Sequence, residues 1–74
     1  MFKKIIKANK NLKKHILRTP TRYSNALSEL VGKNIYVKYE NFQHTGSFKY
    51  RGALNKILNL SPQERKKGVI AMSA

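Results

Sequence analysis

Tyr39-Glu40-Asn41-Phe42-Gln43-His44-Thr45-Gly46-Ser47-Phe48-Lys49-Tyr50-Arg51-Gly52-Ala53 joins two patterns of different period. On its N-terminal side, Ile35, Tyr36 and Val37 open a β-rich run that continues to Glu40 with partial alternation. On its C-terminal side, Ala53, Leu54, Ile57, Leu58 and Leu60 form the apolar stripe of an amphipathic helix from Phe48 to Leu60. Between them, Gln43 to Ser47 reads as a tight polar turn. Lys49 then stands at the N-terminal end of the helix, where free backbone N–H groups and the positive end of the helix dipole gather. Such a place attracts an anion, and an unprotonated lysine held there is an amine nucleophile for a carbonyl.

Working outward, Phe2, Ile5, Ile6, Leu12, Ile16 and Leu17 recur at helical spacing between lysines, which predicts an amphipathic helix of about four turns over residues 1–17. Its basic face raises a surface-lying membrane helix as one reading, but the apolar stripe is narrow and holds no Trp, so packing within its own domain is preferred. Thr19-Pro20 closes that helix, because proline lacks an N–H and pushes the preceding residue out of helical conformation. Thr21 to Ser24 reads as a short extended piece. Ser24 or Asn25 then caps a second helix, Ala26 to Val31, stopped by Gly32. Downstream, Ser61-Pro62-Gln63-Glu64 is a helix start with a capping box, and Gly68 ends that helix. The continuous apolar run Val69-Ile70-Ala71-Met72 predicts a parallel strand covered on both faces.

These elements alternate as in the opening of an α/β domain. At 74 residues the chain lies at the low end for independent folding, and without cysteine no disulfide or thiolate zinc site compensates for a small core. With two histidines and three acidic residues, a metal site is not expected. The net charge of +13 invites a nucleic-acid reading. Six lysines crowd the first 14 residues and Arg65-Lys66-Lys67 forms a second cluster, a distribution that fits lysine-tolerant surface better than a nucleic-acid groove. No apolar run matches a secretory signal or a membrane span, so a cytoplasmic protein without membrane or specific nucleic-acid partner is expected.

Lys38, Glu40 to Gln43, Thr45-Gly46-Ser47-Phe48-Lys49 and Arg51-Gly52-Ala53 together resemble the pyridoxal-phosphate attachment segment of the serine/threonine dehydratase family. That family belongs to the tryptophan-synthase-β-like (fold-type-II) group. Threonine and cysteine synthases of the group favour Asn-Pro where this chain has Gln43-His44, which places the resemblance in the dehydratase and serine-racemase branch. The resemblance implies that residues 1–74 are one incomplete α/β segment, the N-terminal portion of such an enzyme, with an incomplete sheet and flanking helices. It implies pyridoxal 5'-phosphate as cofactor, threonine or serine as substrate, an α,β-elimination giving 2-oxobutanoate and ammonia from threonine, and a homo-oligomer for the full-length protein.

By the same resemblance, Lys49 attaches the cofactor and later serves as base at Cα, and Phe48 lies against one face of the pyridine ring. Ser73 falls in the segment that holds the substrate carboxylate, and Ala74 stands where eukaryotic-type serine racemases use a second serine as acid/base. An alanine there favours elimination over racemisation. The glycine-rich loop that cradles the cofactor phosphate is not expected within these residues, so 74 residues alone are expected to be inactive. Glu40 and Arg51 are read as a structural surface pair, and His44 as an exposed turn residue rather than a base. Two other readings remain: a serine-racemase-like fragment, and a non-enzymatic basic peptide that binds polyanions.

Overall fold

Leu17 and Gln43, 26 residues apart, exchange two hydrogen bonds, and that link organises the chain. The structure is a computed structural model and describes residues 1–72. Its elements are α1 (Phe2–Leu12), β1 (Thr21–Tyr23), α2 (Asn25–Val31), β2 (Tyr36–Lys38), a 3₁₀ turn (Glu40–Phe42), α3 (Lys49–Leu58) and α4 (Pro62–Lys67). Helix α1 stops well short of Leu17. Beyond Leu12 the chain turns, with the His15 and Ile16 N–H groups both donating to the Leu12 carbonyl. The Leu17 N–H and C=O are taken by the Gln43 amide, so they are lost to an α-helical ladder.

Strands β1 and β2 pair antiparallel, with Thr21 opposite Lys38, Arg22 opposite Val37 and Tyr23 opposite Tyr36. The two tyrosines meet edge to face at 5.4 Å, the cross-strand contact expected on one sheet face. Ser24 N–H to Ile35 C=O (2.9 Å) and Tyr39 N–H to Pro20 C=O (3.0 Å) extend the ladder at both ends. Between the strands, α2 starts on Ser24, whose hydroxyl accepts from Leu27 N–H, and ends on Gly32 at φ +74°. The left-handed turn there requires glycine. Ser28 is buried on α2, and its hydroxyl accepts from Ile35 N–H at 2.8 Å, stitching the helix to the start of β2.

Helix α4 carries the capping box in full: Ser61 Oγ accepts from Glu64 N–H, and the Glu64 carboxylate accepts from Ser61 N–H at 2.8 Å. The expected strand at 69–72 is not formed. Residues Val69, Ile70 and Met72 are exposed, Ile70 completely at 101%. A parallel strand needs a neighbour to take its slanted N–H and C=O groups. Among the described residues the sheet has two strands, which pair with each other and leave 69–72 without one. Helix α1 packs on α3, and Leu12 is the single buried apolar residue of the described chain. No helix among the described residues is long and apolar enough to cross a membrane.

Candidate active site

The turn that delivers Lys49 is built from backbone hydrogen bonds in series. Phe42 N–H donates to Tyr39 C=O, Gln43 N–H to Glu40 C=O, and Gly46 N–H to Gln43 C=O at 2.8 Å. Gly46 adopts φ +74°, and a Cβ there would meet nothing closer than the Asn41 carbonyl at 3.9 Å. Its need for glycine is therefore conformational rather than steric crowding. Ser47 Oγ then accepts from Lys49 N–H at 3.3 Å, and α3 begins.

The Glu40 carboxylate fixes where that helix starts. Arg51, on the first turn of α3, donates two N–H groups to it, Nε to Oε2 at 2.8 Å and Nη2 to Oε1 at 3.0 Å. The Thr19 hydroxyl donates to Oε1, and Gln43 Nε2 reaches Oε2 at 3.4 Å. Lys38 Nζ lies 3.9 Å from Oε1 and donates to the Thr19 carbonyl at 3.0 Å. The bonds from Arg51 first, then from Thr19 and Gln43, hold the Glu40 carboxyl at about 2, against partial burial acting the other way. With its side chain 12% exposed, Glu40 is no ordinary surface partner for Arg51. The pair anticipated from sequence exists, with Glu40 at the centre of a part-buried network.

Gln43, 4% exposed, imitates a strand neighbour. Its Oε1 accepts from Leu17 N–H at 2.8 Å and its Nε2 donates to Leu17 C=O at 2.9 Å. Glu40 and Gln43 thus tie the turn to the Leu17–Thr19 segment, while Arg51 ties α3 to the same carboxylate. Sequence reading missed Thr19 and Gln43. Gln43 could have been suspected from its place three residues beyond Glu40, whereas no spacing links Thr19 to this turn.

Lys49 is the first residue of α3 and is exposed; its side chain makes no hydrogen bond or ion pair with any described residue. Phe48 stands at the cap position beside it, 70% exposed, and caps nothing through its side chain. An amine that attaches to an aldehyde must be reachable and unpaired, and an aromatic face that covers a ring must be open. These two residues meet both demands, so they fit pyridoxal phosphate. Ser73, the expected carboxylate-holding residue, and Ala74 lie outside the described residues. His44 is exposed, as its place in the turn suggested, and its ring meets Tyr50 edge to face at 5.5 Å.

Residues 12–74 match the family model for pyridoxal-phosphate dependent enzymes. The L-threonine ammonia-lyase of Thermotoga maritima is 56% identical over 70 residues, which cover 95% of this chain and 18% of that protein. A serine racemase of Dictyostelium discoideum is 46% identical over 73 residues, covering 99% of this chain and 22% of its own length. The structure of maize serine racemase superimposes with a TM-score of 0.72 at 38% identity, over 86% of this chain and 20% of that one. The chain spans about a fifth of the length of these relatives.

Proposed function

Because the chain belongs to the pyridoxal-phosphate dependent enzyme family, we propose that it carries the cofactor-attaching lysine, Lys49, of a cytoplasmic threonine/serine dehydratase. The single observation that carries this is an exposed Lys49, paired with no described residue, at the start of a helix anchored by the Glu40 network. Bound pyridoxal phosphate supplies an electron sink for the charge left at Cα of an amino acid. The chain's own part is positional. Lys49 would hold the cofactor through Nζ and, once a substrate amine has displaced it, would take the α-proton on that freed amine. Phe48 would cover one face of the cofactor ring, and Ser73 would offer a hydroxyl donor to the substrate carboxylate. Loss of the α-proton and of the β-hydroxyl as water would turn threonine into an enamine, whose imine tautomer takes up one water to give 2-oxobutanoate and ammonia.

A second reading, a serine racemase, draws support from the names of the Dictyostelium and maize relatives. Against it stands Ala74, whose methyl group can neither give nor take the proton required on the opposite face. A chimera separates the two: this chain replaces its aligned 70 residues in the Thermotoga ammonia-lyase, and products are assayed from L-threonine and L-serine. The proposal expects 2-oxobutanoate from threonine, and a loss of at least about a hundredfold with Lys49→Ala, the scale of removing a positioned base. D-serine as the main product from L-serine would favour the racemase.

A further inference from the structure

A cavity of about 490 Å³ lies where α1, the segment after it, β2 and α3 meet, apart from Lys49. Its lining is Asn9, Lys13, Ile16, Arg18, Lys38 and Arg51, so four of six side chains are cationic. Among the described residues Glu40 supplies the one nearby carboxylate, and both its oxygens are already engaged by Arg51, Thr19 and Gln43. The other two acidic residues are elsewhere: Glu64 closes the α4 capping box and Glu29 lines a different cavity beside α2. Lys13 and Arg18 make no side-chain hydrogen bond or ion pair with any described residue. Arg51 spends two of its N–H groups on Glu40, leaving others of its five for a ligand.

We propose that this cavity binds a small oligophosphate anion. Four cations against one carboxylate leave a local charge of three, close to that of pyrophosphate at neutral pH, on the order of three negative charges. Guanidinium forks and ammonium groups match phosphate oxygens through charge-assisted bonds, and the Asn9 amide adds a neutral donor. Ile16 is the one apolar side chain of the lining. The site does not depend on Lys49 or on the reading of the chain as a dehydratase.

The test is a titration of the isotope-labelled chain with inorganic pyrophosphate at constant ionic strength, followed by NMR. Saturable shifts concentrated on Asn9, Lys13, Arg18, Lys38 and Arg51 are expected. The double variant K13A/R18A should weaken binding by about tenfold or more, since it removes two charge-assisted contacts. K66A/K67A removes the same charge from α4 and should change affinity by less than about threefold, the effect of distant screened charge. Equal weakening by both variants, or shifts spread over all lysines, would mean diffuse attraction to a chain of charge +13 and would overturn the proposal. Should K13A/R18A lose its dispersed spectrum, the shift map of the unaltered chain decides alone.

Discussion

Glu40 is the residue on which the placement of Lys49 turns. Its carboxyl is held at about 2 against an ordinary 4.5, first by Arg51 and then by Thr19 and Gln43. A carboxylate depressed in the folded state contributes stability that is complete above the unfolded value and is lost as pH falls from about 4.5 towards about 2. Thermal melts of the chain and of Glu40→Gln between about pH 6 and pH 2.5 check this. The native chain should lose melting temperature steeply across that window; the variant, already lower at pH 6, should fall less, its remaining slope owed partly to Glu64, which the Ser61 backbone N–H also lowers. Parallel curves would contradict the role given to Glu40. Gln43 acts on the backbone instead. Gln43→Ala leaves the Leu17 N–H and C=O unpaired and should cost about 1–3 kcal/mol, two hydrogen bonds' worth, in a chemical denaturation series.

At the scale of elements, the parts legible in the sequence were those whose cause is local. Ser24 and Gly32 bracket α2, and Ser61, Pro62 and Glu64 start α4, because caps act within one turn of themselves. The end of α1 was not legible, since Gln43 captures Leu17 from 26 residues away. Neither was the state of 69–72, because a strand exists only with a partner and periodicity says nothing of partners. The turn before α3 was read as a turn, but its internal bracing by Glu40 and Gln43 depends on Thr19 and Leu17, which spacing does not connect. Gly46 tests that turn. Gly46→Ala forces an L side chain to φ +74° and should cost about 1–2 kcal/mol, with the loss appearing as faster amide exchange at Ser47 to Arg51. Unchanged exchange there would mean the turn tolerates another conformation.

Taken whole, the molecule leaves much of its apolar surface open. Its radius of gyration is 16.0 Å, whereas a compact domain of this length has about 11 Å. Phe2, Ile5, Leu30, Phe48, Val69 and Ile70 are exposed, and hydrogen-bonded knots around Glu40, Gln43 and Ser28 hold the described residues more than any core does. The motif around Lys49 was nonetheless plain in the sequence, because a motif is a short ordered run of residues and needs no finished core. The family match agrees with the resemblance from which the role of Lys49 was drawn, and Lys49 stands at the head of α3. A chain this basic presents many competing amines to any aldehyde, and that competition is the sharpest test of the account. The chain is incubated with substoichiometric pyridoxal phosphate, reduced with borohydride, digested and mapped by mass spectrometry. Selective labelling of Lys49 is the predicted result. Label distributed over the lysines of α1 and α4 in proportion to their exposure, with Lys49 no richer than its neighbours, would contradict it.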